Sequence, residues 1–385
     1  MNKKMWFILL GLMFQWGLFA QGTFEIKYGP YLQNVGENEV TVVWVTNKEA
    51  LGWVEVAPDD GTHLYAEQRP QYFQTENGRK LVGNLHRVTI KGLTKGTKYR
   101  YRVYSREVLD NMRWDTFFGR ITATNPSRLF SFTTLDSSKD DISFAVVNDI
   151  HAQSLILDSL VKGIDTNAQD FMVFNGDMMS HLNSEELMMD GFVNKSVELF
   201  ASNLPFFYAR GNHETRGPFS TRFMEYFPSS TGKPYYGFRH GPVYFLVLDA
   251  GEDKPDSDIE YGGLSAFDPY REEETEWLKQ IVETDEFKSA PLRMVIIHVP
   301  PFTSTWHGTL QVGKLYMPIL NKANINLMFC GHTHRYSFQE TGKNGNNFPI
   351  LTNSAKEIVE VKVKGTKIEV IIKDTKGKQT KEFTF

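Results

Sequence analysis

A single cysteine, Cys330, stands among 385 residues. That excludes an intrachain disulfide and a thiolate metal cluster, so stability must come from apolar cores and any metal from other side chains. Positive charge is not in excess either: 42 Lys and Arg against 46 Asp and Glu leave a net charge of −4, which argues against a stable nucleic-acid partner. No complete Walker-type glycine loop is present, so a phosphate would have to be gripped by something other than that backbone nest. Internal repeats and low-complexity tracts are missing as well.

One long apolar run exists. Met5 to Phe19 follows Lys3-Lys4 and ends at Ala20. It falls short of the roughly 20 residues a membrane span needs, and Gln15 interrupts it. The layout is that of a secretory signal peptide over residues 1–20, with the mature chain beginning near Gln21. It predicts export, to the periplasm or the medium, without an integral membrane anchor.

The remainder is rich in hydrophobic (41%) and aromatic (14%) residues, enough for sizeable cores, and its length predicts two domains. From Thr23 to about Thr134 short strands and turns alternate. Val40, Val42 and Trp44 interleave with Thr41, Val43 and Val45, and Tyr99, Tyr101 and Val103 with Arg100 and Arg102. Period-two patterning predicts an all-β antiparallel sandwich over residues 21–136. Leu93 to Tyr99 resembles the tyrosine corner of fibronectin type III domains. Asp136 to Asp141 is polar and reads as a linker. From residue 140 to 385 the rhythm changes to apolar strands separated by helical stretches, such as one capped at Asp268-Pro269 and running to Val282. This predicts an α/β domain with buried sheets.

The apolar strands end in a consistent chemistry. Ile142–Val147 runs into Asp149-Ile150-His151, Phe171–Phe174 into Gly176-Asp177, and Leu204–Tyr208 into Gly211-Asn212-His213-Glu214. Met294–Ile297 ends at His298, and Ile325–Phe329 at Gly331-His332-Thr333-His334. Ligand sites of α/β sheets gather at such carboxyl ends. Imidazoles mixed with carboxylates suit Zn, Fe or Mn better than Ca or Mg.

In this order the motifs resemble the calcineurin-like metallophosphoesterase superfamily, and with the preceding sandwich its purple acid phosphatase branch. The resemblance implies a two-sheet αββα catalytic domain. It implies that Asp149, His151 and His334 hold one metal ion, that Asn212, His298 and His332 hold a second, and that Asp177 bridges them. Two carboxylates against two divalent ions leave about two positive charges to meet a phosphate. The implied activity is phosphomonoester hydrolysis by a metal-bridging hydroxide, on a phosphorylated small molecule or nucleotide. A phosphodiesterase or nucleotidase on the same site is the alternative, and a non-catalytic binding protein a more remote one.

His213 matches a histidine that, in the superfamily, meets the phosphate or protonates the leaving oxygen. His307, in a loop after His298, lies where purple acid phosphatases carry a substrate-facing histidine. One departure stands out: the purple enzymes place a metal-binding tyrosine three residues after the bridging aspartate, and here that residue is Ser180. The expected pair is therefore two divalent ions without a purple colour. The insert Gly251–Tyr270 reads equally as a substrate-selecting lid or a surface loop. Cys330 reads as a buried inert thiol, and Glu272-Glu273-Glu274 as acidic residues complementing the dipole at a helix start.

Overall fold

The computed structural model describes residues 22–385 apart from 113, 114, 126 and 128. The expected signal peptide lies outside the described residues. Among them, no helix is long and apolar enough to cross a membrane.

The N-terminal domain is β-rich and organised by one long strand, Glu39–Pro58. Its first half pairs with Ile26–Gln33 and Val82–Lys91; beyond an irregularity between Val45 and Ala50 it pairs with Lys98–Asn111. The sheet thus folds over on a shared strand. Val42 and Trp44 from one half meet Val54, Tyr101 and Val103 from the other in a single core. The Tyr99 hydroxyl accepts a hydrogen bond from the Thr94 amide at 2.9 Å, the local tie that defines a tyrosine corner.

The alternation in Val40–Val45 does not produce a wet face. Val43 and Val45 are as buried as Val42 and Trp44, because the outer face of this layer packs on the next domain. Tyr28, Tyr31, Val43 and Val45 share a cluster with Phe206 and Phe227. The Tyr31 hydroxyl donates to the Tyr226 carbonyl, and the Tyr101 hydroxyl to that of Ser202. The polar stretch after Leu135 is tied down too: the Asp136 amide donates to His240 Nδ1 at 3.1 Å.

The second domain stacks two six-stranded sheets. One runs in the order Phe206–Ala209, Phe171–Asn175, Asp141–Val147, Glu357–Lys364, Lys367–Asp374, Gln379–Thr384. The other runs Tyr236–His240, Val243–Leu248, Leu292–Ile297, Leu327–Cys330, Ile350–Thr352, Ser337–Gln339. Phe144, Phe171, Phe245 and Phe329 interlock edge to face or stacked between them, at centroid distances of 5.1 to 5.9 Å. Helices cover both outer faces. Ser154–Lys162 and the helical segment from Glu185 to Ala201 pack on the first sheet, and Phe267–Ile281 and the segment from His307 to Leu320 on the second. The parallel strands, such as Phe171–Asn175, Phe206–Ala209, Val243–Leu248 and Leu327–Cys330, are buried on both sides, which is why they read as continuous apolar runs.

Two local expectations are corrected. The helix begins at Phe267, and Asp268 does not cap it; Asp256, from the preceding insert, accepts from the amides of Phe267 (2.7 Å) and Asp268 (3.0 Å). Glu274 does not complement a helix dipole at the surface. It is fully buried and accepts from the Asp249 amide and the Tyr316 hydroxyl. Cys330 is a buried free thiol.

Candidate metal centre

The parallel strands of both sheets deliver their carboxyl ends to one edge of the sandwich. Asp149 and His151 follow Asp141–Val147, Asp177 follows Phe171–Asn175, and Asn212 and His213 follow Phe206–Ala209. From the second sheet come His298 after Leu292–Ile297, and His332 and His334 after Leu327–Cys330. Two glycines make this convergence possible. A Cβ on Gly176 would stand 2.7 Å from the Gly211 Cα, and one on Gly211 would stand 2.2 Å from Asp177 Oδ1. Only bare backbone lets the two loops pass so closely.

The backbone there is unusual. Asp149, His151, Asp177, His332 and His334 all have φ between 49° and 71°. Each left-handed non-glycine residue costs of order 1 kcal/mol and persists only where surrounding structure enforces it. Their concentration at one edge singles it out as the candidate functional site independently of residue type.

Ligating atoms converge in two sets that share one residue. Asp149, His151, Asp177 and His334 form the first, and Asp177, His298 and His332 the second. His151 Nε2 lies 3.0 Å from His334 Nε2, and His334 Nε2 lies 3.2 Å from Asp149 Oδ1. His298 Nε2 stands 3.0 Å from Asp177 Oδ2, and His332 Nδ1 stands 3.0 Å from Asn212 Oδ1. His298 Nδ1 donates to the Asn175 carbonyl at 2.7 Å, which turns its other nitrogen inward. Asp149 Oδ1 and His298 Nε2 are buried without hydrogen-bond partners. Paired nitrogens facing each other and orphaned buried atoms aimed at one point are what a cation would satisfy, and the mixed imidazole and carboxylate donors suit a transition metal.

The electrostatics agree. Burial resists charge on His298, but the Asp177 carboxylate, aided by Asp149, pushes its pKa up to about 10. Burial likewise resists charge on Asp177, yet the facing His298 and His213 hold it well below the usual carboxylate range. Asp177 and His298 thus each favour the charged form of the other. Burial pushes His332, facing the cationic His298, down to about 4.

His213 borders the cluster. Its Nδ1–H donates to the Ser180 carbonyl at 2.8 Å, leaving Nε2 between Asp177 Oδ2 at 3.9 Å and Arg216 Nη1 at 3.2 Å. The Ser180 hydroxyl lies 3.3 Å from His151 Nδ1. His307 is not brought to the cluster. Asp268 binds its Nε2 at 2.6 Å, and Ser304 and Trp306 of the same loop line the cleft instead. The carboxylate at the preceding helix start captures the imidazole first.

Sequence reasoning gave no role to several residues that matter here. Buried Glu214 gathers four donors: the amides of Asp177, Met179 and Gly211 and the Tyr208 hydroxyl, at 2.8 to 3.0 Å. It locks the Gly176-Asp177 loop to the Gly211-Asn212 loop. Arg216, Asp253 and Lys254 line the cleft beside Asn212 and His213. The available signal for Glu214 was its place inside the Gly-Asn-His-Glu run, and for Asp253 and Lys254 their place in the insert read equally as a lid or a surface loop.

Residues 142–336, half of the chain, match the family described as calcineurin-like phosphoesterase. The chain belongs to the calcineurin-like phosphoesterase family. It is a metal-dependent phosphoesterase, and residues 29–134 match the N-terminal domain of purple acid phosphatases. Among curated proteins, this phosphoesterase is 23% identical over 357 residues to purple acid phosphatase 18 of Arabidopsis thaliana, covering 88% of this chain and 71% of that one. It is 22% identical to probable purple acid phosphatase 20 of the same plant, covering 80% and 67%. Among solved structures, purple acid phosphatase PPD1 from yellow lupin (Lupinus luteus) seeds superposes with a TM-score of 0.65 at 14% identity. That match covers 92% of this chain and 73% of the lupin chain and speaks for the fold.

Proposed function

We propose that this phosphoesterase is an exported phosphatase that hydrolyses phosphomonoesters at a centre of two divalent ions, Fe, Mn or Zn. The observation that carries the reading is the position of Asp177, common to both sets of ligating atoms. Asp149, His151 and His334 would hold one ion, Asn212, His298 and His332 the other, and Asp177 both. When bound, such a pair draws in the phosphate by charge and makes a nucleophile of water at neutral pH.

The chain's own residues do the rest. Glu214 holds the amides that set Asp177 in place. The carbonyl of Ser180 accepts the Nδ1–H of His213, so that its Nε2 faces the cleft, from which the doubly protonated ring would pass its Nε2 proton to the leaving oxygen. Arg216, bound to Glu252 at 2.7 Å, stands against that nitrogen. The likeness to plant purple acid phosphatases supports a phosphatase, and the basic head and apolar run support export. We also take residues 21–136 and 140–385 as the two structural units after a cleaved leader of residues 1–20.

The test is to strip the purified protein with a chelator, restore Mn, Zn or Fe singly, and measure metal content and turnover of mono- and diesters. Two equivalents of metal with monoester turnover is the expected result. Uptake of a single equivalent, or activity that survives full stripping, would refute the proposal. N-terminal sequencing of the native protein that returned Met1 would refute export.

A further inference from the structure

A second cavity adjoins the cleft. Arg216, which lines the cavity of about 440 Å³ over the candidate metal centre, also lines one of about 820 Å³ beneath the insert. His181, whose ring centroid lies 6.1 Å from that of His213, stands on the wall of this second cavity. Arg216, which stands against His213 Nε2, is therefore a wall common to the reacting centre and to a pocket of the size that small ligands occupy.

The walls of that pocket are mainly apolar: Tyr261, Leu264 and Phe267 come from the insert and the helix it leads into, and Pro218 faces them. Leu264 is 92% exposed, an apolar side chain left without protein to cover it. The charges around the cavity are already paired. Arg210 is bound by Asp249, Arg216 by Glu252, and Glu260 by Lys254. A second phosphate would meet only cations held by carboxylates, whereas a flat neutral body would meet rings and a leucine. The wall is also pre-organised, because Glu252 accepts from both Arg216 and the Tyr261 hydroxyl. One carboxylate thus ties the pocket to the arginine against His213, and little ordering cost remains to be met on binding.

From this we infer that the cavity under residues 251–270 is the subsite for the leaving group, and that it selects phosphomonoesters carrying a neutral aromatic body. The inference rests on the phosphatase reading of the metal centre. It gives the insert a function: its aromatic and aliphatic side chains form the specificity wall.

The experiment uses the full metal-loaded chain and two pairs of probes. Equilibrium binding compares 2-naphthylphosphonate with methylphosphonate, and turnover compares 2-naphthyl phosphate with glycerol 2-phosphate. Thr221→Trp, at an exposed lining position, fills the cavity, and Leu264→Ser removes apolar wall. The wild type should bind the naphthyl probe at least about tenfold more tightly than the methyl one. Thr221→Trp should lower kcat/KM for the naphthyl ester about tenfold, and Leu264→Ser about threefold, with glycerol 2-phosphate within about twofold in both. Equal affinity for the two phosphonates, or parallel changes on both esters, would overturn the inference. A wild type that cleaves neither ester, yet prefers the naphthyl probe and loses that preference in Thr221→Trp, would overturn the phosphatase reading and uphold the pocket.

Discussion

Glu214 offers the sharpest test of how the site is held. Its Oε2 accepts from the amides of Asp177 (2.8 Å) and Gly211 (3.0 Å), and its Oε1 from the Met179 amide (3.0 Å) and the Tyr208 hydroxyl (3.0 Å). With three amides and a hydroxyl converging on it, the side chain serves both loops as an acceptor. In Glu214→Gln one oxygen becomes an NH2 group. Placed at Oε2 it would confront two amide donors; placed at Oε1 it confronts one, since the Tyr208 hydroxyl can rotate to accept. The second orientation is cheaper and leaves the Met179 amide unpaired, at about 1–3 kcal/mol. The surviving bonds also lose their charge assistance, so about 3 kcal/mol in all is expected. Glu214→Ala should cost about 5 kcal/mol, because three buried amides lose their acceptor. Because the Asp177 amide is one of them, metal affinity should also fall about ten- to a hundredfold. Urea unfolding of the metal-free variants measures the first effect, and competition with a chelating dye measures the second. A Gln variant within about 0.5 kcal/mol of the wild type would show that this carboxylate does not organise the loops.

Three further outcomes are expected. Asp177→Asn should reduce turnover and metal content more than His334→Ala, since Asp177 belongs to both ligand sets and His334 to one; a fully metallated, fully active Asp177→Asn contradicts this. His86, buried and stacked on Trp44 at 4.9 Å, has its pKa lowered by burial to about 4 from an ordinary 6.5. Its contribution is therefore intact above pH 6.5 and lost as pH falls toward 4, a difference of about 3 kcal/mol. Urea midpoints against pH should fall less steeply in His86→Leu than in the wild type, and parallel profiles would contradict the burial argument. The iron-loaded protein should show no intense visible charge-transfer band, because Ser180 stands three residues after Asp177 and its hydroxyl is directed to His151; a purple solution would mean that a tyrosine elsewhere binds the metal.

The parts of the fold and site that were legible in the sequence are those where local chemistry and position coincide. Strands buried on both faces read as apolar runs, and their carboxyl ends read as His, Asp and Asn, so the residues that meet at the sheet edge could be named from order alone. His307 was misplaced because its partner, Asp268, comes from a helix 39 residues earlier in the chain, and no local pattern discloses such a capture. Glu274 and Asp268 were misjudged for the same reason, since what they bind is set by tertiary packing. The antiparallel strands from Glu357 to Thr384 that complete the first sheet carry no ligand and drew no attention. The burial of Val43 and Val45 was foreshadowed only by valines on both faces of a strand expected to have one wet side.

That burial has a further consequence. Phe206–Ala209, which leads into the Asn212-His213 loop, is the outermost strand of its sheet, and a bare outermost strand invites pairing with other chains. Here the N-terminal domain guards it: Gln33 Nε2 donates to the Phe206 carbonyl at 3.1 Å, and the Tyr31 ring stacks on Phe206 at 6.0 Å. Preceding that strand in the chain, this domain is thus a built-in escort for the second, present before the vulnerable strand is synthesised. Cut away from it, the catalytic half would emerge with that margin open and self-associate, so the two halves are partners in solubility as well as neighbours in sequence.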